Sequence, residues 1–208
     1  MIRNRTHQRR LLIAAAVALG VGIVAPGAAH AQRRLAVTNG QPQGPAKIPG
    51  VLLSMRELGL CKVRVGDKLP AIELPKADGG GNANLGDLFG KRATVVVFWK
   101  GDRRMAREQL ADLGPDVIEP FGKEGVSVVG VAVQESPETT NQALSAAKAK
   151  FTNLVDADGN AFKQVGRDNL PRTFVLDSEG KVVWFDIAYS LATRRELNST
   201  LRALTEPK

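Results

Sequence analysis

Val95-Val96-Val97-Phe98-Trp99 is an unbroken apolar run, and the same character returns in Val126 to Val133. A strand that alternates polar and apolar residues can leave one face in water. A run without alternation has to be covered on both faces, which is the position of an inner strand in a parallel sheet. Between the two runs, residues from about Arg103 to Leu113 carry apolar side chains at helical spacing, with a break expected at Gly114-Pro115 and a resumption through Phe121. Strand, helix, strand in that order gives a right-handed crossover, so the chain is committed to an α/β fold: a central mixed sheet flanked by helices, in one domain.

The remaining elements fit around this unit. Val65-Gly66-Asp67-Lys68-Leu69-Pro70 opens the domain, Ile72 and Leu74 alternate with polar neighbours as a short edge strand, and Asp78-Gly79-Gly80-Gly81 makes a loose turn. Ser136-Pro137 starts a second helix, which Ala143 to Phe151 continues. Thr173 to Leu176 and Lys181 to Asp186 flank Asp177-Ser178-Glu179-Gly180 as a hairpin. Thr193 and Glu196 have capping-box spacing and open a last helix with Leu197, Leu201 and Leu204 on one face.

The first ten residues hold Arg3, Arg5, Arg9 and Arg10, Leu11 to Val24 is apolar, and Ala29-His30-Ala31 is a small-x-small cleavage pattern. Residues 1–31 therefore read as a cleaved secretory signal, and fourteen apolar residues fall short of a membrane span. The expected location is periplasmic or secreted, and Arg9-Arg10 leaves open whether export is general or twin-arginine. Residues 32–62 form a linker and N-terminal extension: Thr38 to Gly50 is rich in proline and glycine, and Val51 to Leu60 has the spacing of a short helix that packs on the domain. The domain itself is placed at 63–208.

Both histidines, His7 and His30, lie in the signal, so the mature chain offers no imidazole base and no histidine ligand for zinc or copper. Removing four arginines and no acid lowers the formal charge from +8 to +4, which does not argue for nucleic acid. Cys61 is the only cysteine. It cannot form an intramolecular disulfide, and Leu60 and Val63 beside it suit a buried thiol. Asp156-Ala157-Asp158-Gly159-Asn160 is an ordinary turn rather than a calcium loop, since its glycine is out of register and no closing glutamate follows. Trp99 and Trp184 are core residues.

Four stretches, VGDKLPAIELP at 65–75, NLGDLFGKRATVVVFW at 84–99, VSVVGVAV at 126–133 and LVDADGNAFKQVGRDNLPRTFVLDSEGKVVW at 154–184, resemble the redoxin group of the thioredoxin fold. That group joins thiol-disulfide oxidoreductases with the alkyl hydroperoxide reductase and thiol-specific antioxidant proteins. The resemblance implies a thioredoxin-like fold with a cis-proline at Pro171, facing the N-terminus of the helix that starts near Arg103. It also implies two redox thiols at that helix, and the chain has Arg103 and Ala106 in their places. A guanidinium stays protonated and a methyl is inert, so dithiol exchange cannot occur at these positions. The peroxide-reducing branch keeps an arginine near the position of Arg172, beside a thiol that this chain lacks.

Lys100, Arg103, Arg104 and Arg107 crowd the helix start, with Asp102 as the expected cap. Lys100, Arg103 and Arg104 beside free N–H groups suggest a pocket for a small anion. Two functions follow: a redox-inactive binding or scaffold module whose partner is a protein or an anion, or a thiol-disulfide oxidoreductase or peroxiredoxin-type antioxidant enzyme working through Cys61 or a partner's thiol. No cofactor and no metal is implied.

Overall fold

The computed structural model describes residues 46–206, all within one compact unit; the signal, the cleavage site and most of the linker lie outside the described residues. The chain enters through a four-residue helix, α1 (Met55–Leu58), closed by a Ser54–Glu57 capping box. This is shorter than the helix expected over Val51 to Leu60. Val51 and Leu53 pack against the core while Leu52 and Met55 point outward, so the extension is docked by alternate residues, an extended-chain pattern that helical spacing does not describe.

β1 (Glu73–Pro75) and β2 (Asn82–Asn84) form a small antiparallel hairpin of their own. The expected edge strand thus joins the main sheet only by the Lys76–Leu154 bridge. β3 (Ala93–Trp99) is buried at all seven residues and lies at the centre of a five-stranded sheet. It runs parallel to β4 (Val126–Val133), which pairs in parallel with β5 (Thr152–Asp156). On its other side it pairs antiparallel with β6 (Arg172–Asp177), which turns back into β7 (Val182–Asp186).

Parity along β3 divides the core. Val96 and Phe98 face the side covered by α4 (Asn160–Val165), the hairpin and the N-terminal extension. Val95, Val97 and Trp99 face the side covered by α2 (Arg104–Leu113) and α5 (Leu191–Thr205), with α3 (Pro137–Ala147) at its rim. On that second face Trp99 Nε1 donates to Asn153 Oδ1 at 3.1 Å, directly over Gly130. A Cβ at Gly130 would overlap the Asn153 amide and touch the indole. Gly130→Ala is expected to destabilise the domain by about 1–3 kcal/mol, read as a lower urea midpoint, because the strand interior has no room to give.

Three local expectations change. Gly114-Pro115 does not break α2: the chain widens into a π turn over Gly114–Ile118 and continues through Glu119–Phe121. Proline has no N–H to contribute, and near the start of a new turn none is needed. α3 stops at Ala147 because Lys148 takes the left-handed conformation, φ 54°, well short of Phe151. α5 is capped by Ser190, whose hydroxyl accepts from the Thr193 amide. Thr193 is therefore the third residue of the helix, and its hydroxyl also donates to Asp186 at 2.7 Å.

α5 is clamped to α2 through charge. Arg194 donates to both oxygens of Asp116 at 2.7 and 2.9 Å and lies 3.2 Å from Asp112, while Tyr189 donates to Asp112 at 2.7 Å. Burial, reinforced by Asp112, pushes the Tyr189 hydroxyl far above its ordinary pKa, so it stays a donor. Arg194→Ala is expected to cost about 1–2 kcal/mol in thermal unfolding, the range of a largely buried forked pair.

Candidate functional site

β3 pairs with β6 so that Phe98 stands opposite Arg172, which brings the β3–α2 connection with Arg103 and the segment before β6 with Pro171 to the same end of the sheet; the Leu170–Pro171 peptide is cis. The two residues expected in place of the family's thiols have different fates. Ala106 is fully buried and packs in the core with Leu110. Arg103 is the N-cap of α2, yet its side chain makes no capping bond. Asp102 does not cap either: its carboxylate turns to Arg103 Nε at 3.4 Å. The first-turn amides of α2 thus have no side-chain acceptor, and they carry the positive end of the helix dipole.

A cleft of about 320 Å³ opens at this spot. Lys100 and Arg103 line one side, and Lys163 and Arg167, from the end of α4 and the loop after it, line the other. Val133, Phe162 and Leu170 supply apolar wall. Arg104 is not among the lining residues; it forms an i,i+4 pair with Glu108 at 3.2 Å on the exposed face of α2. The cationic group is therefore Lys100, Arg103, Lys163 and Arg167 rather than the Lys100–Arg103–Arg104 set read from the sequence. Lys163 and Arg167 were missed because they lie in a different segment. The signal available was their place just ahead of Pro171.

Arg103 is paired with Asp102, and the other three cations meet no carboxylate among the described residues. Lys100 Nζ lies 3.5 Å from Gln134 Oε1, Lys163 Nζ donates to Asn160 Oδ1 at 3.0 Å and Arg167 to the Gly59 carbonyl at 3.3 Å. None of these acceptors is charged. The cleft is also where unusual backbone gathers. Gln134, Asp168 and Asn169, with φ of 55°, 52° and 39°, are three of the four described non-glycine residues in the left-handed region, and all three line it. Such conformations cluster at functional sites.

Arg172, the residue after Pro171, turns away from the cleft and is fully buried. Its guanidinium donates to the carbonyls of Leu60 (3.2 Å), Val165 (3.5 Å) and Arg167 (3.2 Å), and stands 5.5 Å over the Phe162 ring. Burial pushes it below its ordinary pKa, opposed by Cys61 and Asp168. Cys61 is buried, bridges to Gly166 and directs its thiol at the Glu57 carbonyl, 3.4 Å away. The N-terminal extension thus folds back to the neighbour of Pro171: Cys61 pairs with Gly166, against which the Arg172 guanidinium packs, a proximity its local sequence does not reveal. Gly166 makes this possible, since a Cβ there would overlap the Arg172 guanidinium.

α4 is held by Asp156, whose carboxylate accepts from the amides of Ala161 (3.1 Å) and Phe162 (2.8 Å). Burial raises the Asp156 pKa, against the two amides, which lower it. The raised value makes its contribution to stability largest below the ordinary aspartate range and diminishing as pH rises through its folded pKa. Measured by urea unfolding from about pH 3 to about pH 6, wild type is expected to lose ground steadily to Asp156→Asn, which does not titrate. Among the described residues no group of three His, Cys, Asp or Glu is placed to hold a metal.

A five-stranded mixed sheet with helices on both faces and a cis-proline opposite a helix N-terminus defines a thioredoxin-like protein. Residues 65–185 match the AhpC/TSA family, and the chain belongs to it. Two Mycobacterium tuberculosis proteins, provisionally named peroxiredoxins, are each 30% identical over 130 residues, 57% of this chain and 81% of theirs. Among solved structures, one provisionally identified as the thiol:disulfide interchange protein DsbE of Chlorobium tepidum has a TM-score of 0.64 at 22% identity, covering 70% of this chain and 100% of that one. Peroxidoxin BcpB of Mycobacterium tuberculosis has a TM-score of 0.58 at 22% identity, covering 69% and 99%. A secreted disulfide oxidoreductase from the same organism has a TM-score of 0.56 at 20% identity, covering 64% and 96%.

Proposed function

We propose that this AhpC/TSA-family protein is an exported binding module without thiol redox activity, and that the cleft beside Pro171 holds an anion where redoxins keep their thiols. The observation that carries this reading is the substitution of a guanidinium and a buried methyl at Arg103 and Ala106, at an uncapped helix start with Lys163 and Arg167 opposite. Positive potential and open amides favour a bound anion, whereas they would otherwise oppose one another. Export is supported by the basic, apolar and small-residue order of residues 1–31. Among the described residues no helix is long and apolar enough to cross a membrane.

Melting across a panel of phosphate, sulfate and carboxylates tests the site. A ligand at a hundred times its dissociation constant stabilises by about 2.7 kcal/mol, a shift of several degrees. Arg103→Glu is expected to abolish the shift and Arg104→Glu, on the other face of α2, to retain it. Flat melting across the whole panel would sink the reading.

The pairing of Cys61 with Gly166, against which the Arg172 guanidinium packs, favours a second reading, a thiol enzyme working through Cys61. Insulin reduction and hydroperoxide consumption separate the two. Neither activity is expected; turnover that disappears in Cys61→Ser would establish the second reading in place of the first.

A further inference from the structure

The cations of the cleft stand in two pairs from separate segments, Lys100 with Arg103 and Lys163 with Arg167, against the lining carboxylate of Asp168 and that of Asp102, which stands outside the lining 3.4 Å from Arg103; this makes four cations to two carboxylates. The apolar wall of Val133, Phe162 and Leu170 belongs to the same cleft. At about 320 Å³ the space lies at the lower end for small-molecule sites. An inorganic oxyanion has no apolar surface to cover that wall and one centre of charge for two cationic pairs. We infer that the ligand is a small organic dianion, with an acidic group at each end and an apolar body between. This rests on the anion-binding reading and names the ligand class of that site. The body covers Phe162 and Leu170, while each end takes charge-assisted hydrogen bonds from one pair.

Calorimetric titration of the full chain with suberate, octanoate, succinate and inorganic phosphate tests it. Suberate is expected to bind at least about tenfold more tightly than octanoate, which lacks one charge, and than succinate, which lacks the body. Arg103→Ala and Lys163→Ala, both at exposed positions, are each expected to reduce suberate affinity to the octanoate level with little change in melting temperature. Arg167→Ala is a second probe of the Lys163 side, and its melting temperature reports any loss of the Gly59 contact. Octanoate or succinate matching suberate would overturn the dianion. Phosphate matching suberate would overturn it too, while leaving the anion site intact; no binding by any of the four removes both.

Discussion

Arg172→Ala is expected to lower the unfolding free energy by about 3–5 kcal/mol, seen as a large fall in the urea midpoint. The reason is the number of contacts that one buried side chain makes. Carbonyls of Leu60, Val165 and Arg167 share one buried guanidinium, and they come from the N-terminal extension, the end of α4 and the loop before Pro171. Alanine removes three hydrogen bonds at once, opens a cavity beneath Phe162, and leaves the extension held here by the backbone bonds of Lys62 and Val63 to Val165 and of Arg167 to Leu60. Arg172→Lys is expected to recover little, because an ammonium cannot reproduce the spread of a planar fork. Wild-type stability in the alanine variant would show that the backbone amides on the Leu60 and Val165 carbonyls suffice and that the arginine is dispensable.

Phe98→Ala is the second large effect, also about 3–5 kcal/mol by the same measurement. Phe98 is fully buried, and its ring meets Phe162 at 5.8 Å and, edge-on, Phe174 at 6.1 Å. Phe174 stacks in turn on Phe185 at 5.8 Å. The residue thus joins β3 to α4, β6 and β7 at the level where Phe162 forms part of the cleft wall. Loss of ligand-induced stabilisation is expected alongside loss of stability. Phe98→Leu, which keeps much of the volume, is expected to cost well under half as much.

Much of the fold was legible because its strongest determinants are local. β3 and β4 are apolar without interruption, and that pattern admits only inner strands. Asp177 to Gly180 makes the β6–β7 turn with its own side chain, Asp177 accepting from Glu179 and Lys181. Ser136 caps α3 as its position before Pro137 implies. Boundaries were less legible where several local solutions compete. Ser190 and Thr193 are both capping residues, and Asp186, reached only through the fold, engages the Thr193 hydroxyl and leaves Ser190 as the cap. The π turn at Gly114 likewise depends on Val117 and Phe121 reaching the same core as Leu113.

By itself the sequence determined the class of fold, the family, and the absence of thiols at the helix that faces Pro171, since strand periodicity and residue chemistry are properties of short segments. Only the tertiary structure decided which charges share a cleft and what surrounds Cys61. Lys163 and Arg167 meet Lys100 and Arg103 because α4 is pinned by Asp156 and its following loop by Arg172. A guanidinium becomes a core residue only when carbonyls from distant segments converge on it, and no periodicity along the chain encodes that convergence.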